Sequence, residues 1–520
     1  MKTKQLFFCS LTGLALLTAS CSSNDEALNG GDGTTSEGKT YAQIAISVAN
    51  SATTRTTTPG NTGDEAYGDD VEYTVNDLTV VLANENDIAM QVITPTLKTA
   101  TNTDDDDKLV RVTEPFKCTP GTYKVYVLAN YKNSQDALTP IIKGSTDMKA
   151  EFGITNIAKL STTDEFFMTN VSAPEGQEIK EAATGKELND AGKDETKEGA
   201  ATNLNILTVN VERAVSKVTF DNTDNQSFNV MVGDNKIATA TLEGASLINL
   251  NKKMYLVKGG RTATNKPAGV TDEWPYPMDP NYSQTSIDEV YCKANFEQRS
   301  ATVFPAPSTA TFYCPENTME ASAQLNGQTT GVVYKVKYAP EAAYYTELAA
   351  ENGTDSYSKM YKKVLELGET EIAPTITNTI FTKADNEDGT FYSYNGYVFR
   401  SLAGARLYKA IATNTDGEAA TVNDAFKTEN NDGIQTYAEG YCYYTAWIKH
   451  NPGGTTMQQD KYGVVRNFWY ELKVNSIKKL GYSMPTYEKP TDPDDKAEAS
   501  IQVQVKIKKW RLVKQNVDLE

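Results

Sequence analysis

The 520-residue chain carries 50 Lys and Arg against 68 Asp and Glu, a formal net charge of −18 at pH 7. That length makes two to four domains at about 100–200 residues each, and so acidic a chain is a poor partner for nucleic-acid phosphates, which need a basic face. A single histidine, His450, excludes most histidine triads and multi-histidine metal centres, and 29 tyrosines beside few apolar helical stripes point to β structure.

Lys2 and Lys4 precede the apolar run Leu6 to Leu17, which is too short to cross a bilayer and is followed by Ala19 and Ser20. Residues 1–20 therefore read as a signal peptide. Cys21 closes the lipobox-like sequence Leu17-Thr18-Ala19-Ser20-Cys21. A diacylglycerol thioether on Cys21 is the expected membrane tether, an ordinary cleaved signal being the alternative. A polar tether, residues 22–40, leads into Tyr41 to Val48. There Ile44, Ile46 and Val48 share one face, the period of a half-buried strand. Asn50 to Gly63 is polar and holds one basic residue, Arg55.

Further strands are expected at Val75 to Ala83, Ile88 to Ile93, Lys108 to Val112 and Gly121 to Asn130. A short helical insertion is expected at Ser134 to Leu160, with β structure resuming at Phe166 to Asn170. Residues 172–203 have few apolar anchors and read as an exposed excursion. Leu207 to Phe220 alternates again, and the domain boundary belongs near 205–225. The second domain is expected to hold strands at Phe228 to Val230, Ala238 to Leu250, Ala310 to Cys314, Gly331 to Tyr338, Gly440 to His450 and Val464 to Leu480. Short helices are expected at Ala342 to Glu351 and Tyr357 to Leu367. After a Pro-rich, acidic linker at 484–499, Ile501, Val503, Val505 and Ile507 alternate without a fault, and Trp510, Leu512, Val517 and Leu519 follow. Lys508 and Lys509 break the phase, which suggests a bulge. The stiff stretch Glu488 to Asp495 either projects the tail outward or is an ordinary surface loop. Many short strands with minor helices indicate an all-β fold of sandwiches.

Cys118, Cys292, Cys314 and Cys442 lack the CxxC spacing of a zinc site. An exported chain permits disulfides, of which Cys292–Cys314 would close the shortest loop; buried free thiols are the alternative. No Gly-rich phosphate loop, nucleophile elbow or HExxH sequence occurs, so no catalytic, cofactor or metal residues are assigned. Asp104 to Asp107 lacks the spacing of a calcium loop and reads as a solvated turn. His450 is expected to be structural. Trp447, Trp469 and Trp510 are expected in cores or interfaces rather than on sugars.

Several segments together resemble the Bacteroidales fimbrillin family, and specifically the major shaft subunits of the short, Mfa-type fimbria. They are Phe167 to Asn170, Val211 to Val218, Phe312 to Thr318, Tyr444 to Asn451, Gly463 to Tyr470, and Trp510 to Leu519. The resemblance implies two tandem transthyretin-like β-sandwich domains, at 56–220 and 221–499. It also implies a lipidated precursor at the outer membrane and a 21–55 propeptide that includes the removable strand Ile44–Val48. A trypsin-like, arginine-specific protease would cut after Arg55 and leave Thr56 as the new N-terminus. A neighbour's C-terminal donor strand, residues 500–520, would then take the vacated place through Ile501, Val503, Val505, Ile507, Trp510, Leu512, Val517 and Leu519. The implied partners are further copies of the chain, accessory fimbrial subunits, and a host protein or glycan, with no cofactor. The expected product is a fimbrium on the cell surface. The competing expectations are a lipid-anchored binding module, or an anchor or tip subunit that forms no shaft. Physically, an unpaired strand edge invites another chain, and a heterologous contact of this kind propagates into a filament.

Overall fold

The computed structural model describes residues 40–48, 65–98, 110–181, 205–222, 226–258, 276–284, 286–297, 301–345, 384–414, 419–485, 489–495 and 501–511. Strands dominate them, and helices are few and short. None of those helices is long and apolar enough to cross a membrane.

Nine strands form the first sheet. Its main path runs Ala89–Ile93, Leu78–Ala83, Gly121–Ala129, Met168–Asn170, Asn205–Arg213, Thr40–Val48 and Val110–Val112. Gly176–Ile179 adds to Gly121–Ala129, and Phe116–Cys118 adds to Thr40–Val48. Two strands thus change neighbour along their length, as strands do where a sheet turns a corner over its core. A five-stranded sheet runs Glu65–Tyr67, Ile501–Arg511, Phe468–Ile477, Val215–Phe220 and Thr311–Pro315. It faces a four-stranded sheet of Ser227–Val232, Asn235–Ile248, Gly331–Pro340 and Tyr441–Trp447. Phe220 of one sheet meets Tyr334 of the other edge-on at 6.0 Å. Val218, Tyr470 and Leu472 from the first, with Leu242, Val336 and Tyr444 from the second, belong to one buried cluster. This is a β-sandwich, and the fold is all-β.

Asn205–Arg213 and Val215–Phe220 are one run of chain broken at Ala214; the first half lies in the first sheet, the second in the five-stranded sheet. Charges bind that crossing. Buried Arg213 donates from Nε to Asn467 Oδ1 at 3.0 Å. Wholly buried Glu72 takes Lys217 at 2.6 Å and the Tyr313 hydroxyl at 2.5 Å. Arg466 donates to the carbonyls of Tyr255 and Leu256 and stands 3.5 Å from Glu316. One apolar core runs unbroken from the first sheet into the sandwich, so the two halves are packed together rather than strung on a linker.

Several expectations change. Ser134 to Leu160 is not a helical insertion. Its regular pieces are the single-turn helix Tyr131–Ser134, the 3-10 turns Gln135–Ala137 and Ile157–Leu160, and the two-residue strand Phe152–Gly153, paired with Lys253–Met254. Pro140 and the left-handed Gly144 prevent a longer run. Of the helix expected from Ala342, the described part is the 3-10 turn Ala342–Tyr344; Tyr357 to Leu367 and Asp104 to Asp107 lie outside the described residues. The last strand runs straight through Lys508 and Lys509, paired with Trp469 and Phe468. The extra residue that restores phase sits in the neighbour instead, at the register shift between Val474 and Ser476. Cys118, Cys292, Cys314 and Cys442 are buried thiols outside any disulfide, and burial lifts the Cys118, Cys314 and Cys442 thiols to about 12.

A helical module went unread in the sequence. Phe391–Tyr394, Tyr397–Phe399 and Gln435–Tyr437 make a small sheet beside the helices Leu402–Thr413 and Ala419–Lys427. Tyr392, Phe399, Leu407, Ile411 and Val422 give it a core of its own. The signal was present: Ser401 is an N-cap that accepts from the Gly404 N–H, and Ala405, Tyr408 and Ile411 recur every three residues.

Two measurements test this packing. Replacing Glu72 by Ala removes the closest counter-charge of buried Lys217, leaving Asp69 at 3.7 Å, and should cost about 3 kcal/mol in urea unfolding. Asp279 accepts from the amides of Asn281 and Thr318, each at 2.7 Å, and from Asn251 Nδ2 at 3.1 Å. Burial nonetheless pushes its carboxyl up to about 8. Between about pH 4 and that value the folded chain holds a proton that the unfolded chain has lost. Stability should therefore fall as pH rises from 5 to 8, and Asp279→Asn should flatten that fall whatever its overall cost.

Candidate functional site

Thr40–Val48 is the strand around which the first sheet is organised. It runs parallel to Asn205–Arg213, in register from Ala42 opposite Asn205 to Val48 opposite Val211. Its other side pairs antiparallel with Val110–Val112, opposite Ala45 to Ser47, and with Phe116–Cys118, opposite Thr40 to Ala42. Thr113 bridges the gap between those two short strands. Its N–H donates to the Ile44 carbonyl at 2.9 Å and its Oγ1 accepts from the Ile44 N–H at 3.1 Å. Gln43 Nε2 donates to the Thr113 carbonyl at 2.8 Å. At the strand's start, Asn205 Nδ2 donates to the Tyr41 carbonyl at 3.0 Å, and Thr40 Oγ1 donates to the Lys180 carbonyl at 2.8 Å.

The strand is therefore an interior one, with neighbours on both sides, and not the cover of a single edge. Nor is it half-buried. Ala42, Ile44, Ile46 and Val48 enter the main core, and Tyr41, Gln43 and Ala45 on the opposite face are buried too. Full burial of Ile44, Ile46 and Val48 contributes about 4–9 kcal/mol before ordering costs. Without this strand, the sheet would hold a slot with two facing rows of unpaired backbone groups. Such a slot selects an occupant of strand shape with small-to-medium apolar side chains at alternate positions.

Ile501–Arg511 lies elsewhere. It pairs antiparallel with Phe468–Ile477, from Ile501 opposite Ile477 to Lys509 opposite Phe468. Ile501 and Val505 are buried in the main core, and Val503 packs against it. Ile507 stands opposite Tyr470, and Trp510 opposite Ala66 of the short parallel strand Glu65–Tyr67. In this structure Ile501, Val503, Val505 and Ile507 thus complete their own subunit's sandwich. The described part of the preceding linker, residues 489–495, does not project outward either. Gly327 N donates to the Pro490 carbonyl at 2.8 Å, and Asn326 N to that of Asp492 at 2.9 Å. Thr329 Oγ1 donates to Asp494 at 2.5 Å, and Lys461 Nζ reaches Asp495 at 2.6 Å. Those two carboxyls diverge: burial drives Asp494 well above the usual range, whereas Lys461 and Tyr462 hold Asp495 below it.

Cys21, Arg55, Thr56, Leu512, Val517 and Leu519 lie outside the described residues. Arg55 falls between the end of the first strand at Val48 and the next strand at Glu65. His450 is packed among Tyr276, Phe468 and Tyr470, with Nδ1 2.7 Å from the Tyr470 hydroxyl. Trp447 is buried against Gly331, and Trp469 Nε1 donates to Thr219 Oγ1 at 2.7 Å. Lys217 Nζ sits over the half-buried Trp469 ring, 4.1 Å from its centroid.

The family of this all-β chain comes from sequence comparison. The chain matches the family model of the major fimbrial subunit protein FimA over residues 42–256. It also matches that of the C-terminal part of fimbrillin, major fimbrial subunit protein type IV, over 435–516. Together these span more than half of the sequence, and the chain belongs to the fimbrillin family of major fimbrial subunit proteins, components of cell-surface fimbriae. No curated protein matches it. Among solved structures, a candidate cell adhesion protein of Parabacteroides distasonis is similar at 12% identity and a TM-score of 0.40, covering 92% of this chain and 99% of its own. The fimbrilin FimA of Porphyromonas gingivalis is similar at 13% identity and 0.37, covering 92% and 100%. The tip fimbrial protein Mfa3 of the same organism, with a C-terminal truncation, is similar at 12% and 0.30, covering 90% and 100%.

Replacing Ile46 by Ala leaves a cavity in the middle of the first sheet. It should lower the stability of the uncut chain by about 2–5 kcal/mol, read from urea unfolding.

Proposed function

We propose that the chain is the precursor of a fimbrial shaft subunit of the short, Mfa-type class, a structural protein rather than an enzyme, which polymerises when a protease releases its first strand. The observation that carries this reading is the double-sided pairing of Thr40–Val48. Such a strand is held firmly while it is part of the chain. A cut after Arg55, between this strand and the rest of the subunit, turns it into a separate short peptide. Its contacts then lose the high effective concentration of a tethered segment. The vacated slot accepts a C-terminal segment of another copy, and the head-to-tail contact repeats along a filament.

The donor is better sought beyond Arg511 than within it. Ile501 to Val505 serve their own sandwich. Residues 512–520, with Leu512, Val517 and Leu519, match the nine-residue length of the first strand. In this reading Cys21 carries the lipid that anchors the precursor at the outer membrane, and cutting after Arg55 frees the subunit to join the fimbrium. Accessory fimbrial subunits and a host protein or glycan are its further partners. The in-domain pairing of Ile501 to Val505 also supports a second reading, an anchor or tip subunit that offers no donor.

The test is to treat purified precursor with an arginine-specific, trypsin-like protease and run the product unboiled on an SDS gel. A ladder is expected from the full chain. It should disappear on deleting residues 512–520, with the circular dichroism of the monomer unchanged, and Arg55→Ala should block processing. A ladder that survives the deletion removes the donor assignment, and no ladder from the cut full chain favours the anchor or tip reading.

A further inference from the structure

The two sheets of the sandwich meet at one end around a cavity of about 190 Å³. Ala446 and Trp447, the last residues of Tyr441–Trp447, line it from the four-stranded sheet. Ile501 and Val503, at the start of Ile501–Arg511, line it from the five-stranded sheet. These walls are apolar. Trp447 and Ile501 are buried, and Ala446 and Val503 are half-buried. A cavity of about 150 Å³ takes a benzene ring, so this one has room for an apolar body of that size and one small polar group.

Three charged or titratable side chains share the lining. Lys449 is half-buried, and Lys478, just past the end of Phe468–Ile477, is exposed. Lys478 has neither a hydrogen bond nor an ion pair among the described residues. The third is Asp494, wholly buried, whose Oδ2 accepts from Thr329 Oγ1 at 2.5 Å. Its Oδ1 has no partner among the described residues. The neighbouring Asp495 is taken up by Lys461 at 2.6 Å and by the Tyr462 hydroxyl at 2.5 Å. Burial, with the charge of Asp495 beside it, drives Asp494 towards the neutral acid. Because Thr329 donates to Oδ2, the acid proton belongs on Oδ1, where it is a buried donor in need of an acceptor. The lining is then cationic, in a chain of net charge −18. A few convergent polar groups in an otherwise apolar hollow are the usual form of a small-molecule site.

We propose that this cavity binds a small monocarboxylate with an apolar body about the size of one ring, its carboxylate held by Lys449 and Lys478 and its body against Ala446, Trp447, Ile501 and Val503. Ammonium groups make charge-assisted hydrogen bonds to a carboxylate, and the Asp494 hydroxyl supplies a further donor. An inorganic anion would meet the charge and leave the walls bare. A neutral ring would fill the walls and leave the ammoniums without a counter-ion. An occupant of both kinds touches the two sheets at once, so it fastens the start of the last strand to the four-stranded sheet. The site is independent of the cut after Arg55 and lies beyond the assembly reading.

The experiment titrates the full, uncut chain at pH 7 with benzoate by isothermal calorimetry, with benzyl alcohol and inorganic phosphate as controls. Benzoate should bind one to one with a Kd of about 1 mM or tighter, and each control about tenfold more weakly or worse. Lys478→Glu alters an exposed position, so its circular dichroism should match the parent, and it should weaken benzoate about tenfold or more. Saturating benzoate should slow hydrogen exchange at the amides of Ile501 to Val503 in the parent. Benzyl alcohol binding as tightly as benzoate removes the carboxylate recognition, and phosphate binding as tightly removes the apolar half of the site. Full affinity in Lys478→Glu, or unchanged exchange at Ile501 to Val503, puts the ligand elsewhere. Each of these results overturns the inference, as does the absence of binding at ten times the expected Kd.

Discussion

Backbone amides and carbonyls buried away from water must be paired, and a strand inside a sheet meets that demand for itself and for both neighbours. Thr40–Val48 occupies such a position. Among the described residues, Asn205–Arg213 on one side and the pieces Val110–Val112 and Phe116–Cys118 on the other share no ladder except through it. The first sheet is divided without it. The strand's covalent link to the rest of the sheet and to the sandwich runs through the polar stretch that follows it, between Val48 and Glu65. The same hydrogen bonds that stabilise the precursor define the shape of what can replace them.

The crossing at Ala214 links this slot to the rest of the molecule. Arg213 and Lys217 stand on either side of it, and Glu72, a few residues after the first short strand of the sandwich, holds Lys217 and Tyr313. Buried ion pairs contribute little net stability against an apolar replacement, yet leaving one partner alone is costly. Their effect here is to fix where the two halves meet. The chain entering after the polar connection is pinned to the sandwich at Glu72, so release of the first strand need not loosen the remainder.

The sandwich adds a second constraint at the other chain end. Ile501–Arg511 closes the five-stranded sheet and the linker before it is strapped down through Pro490, Asp492, Asp494 and Asp495. A segment so held is a poor free donor, and the proposed function accordingly gives that role to residues 512–520. The helical module at 384–437 has a separate core and, apart from its last strand Gln435–Tyr437, lies outside both family matches. It is an elaboration carried by the sandwich, not a part of its strand framework.

Period-two alternation determined most strands, because one face of each meets a core: Gly121–Ala129, Gly331–Pro340 and Ile501–Arg511 stand close to where Val, Tyr and Ile placed them. The charged, histidine-poor composition settled which chemistries to set aside, and short ordered segments carried the family likeness. Alternation is blind to what lies beside a strand. Whether Ile44, Ile46 and Val48 sat at an edge or between two neighbours depended on Val110–Val112 and Asn205–Arg213, which are remote in sequence and meet it only in the fold. The destination of Ile501 to Ile507 was hidden for the same reason, since an alternating strand fits its own sandwich and a neighbour's slot equally well. Pairing partners are a property of the folded whole, and the tertiary structure alone assigned them.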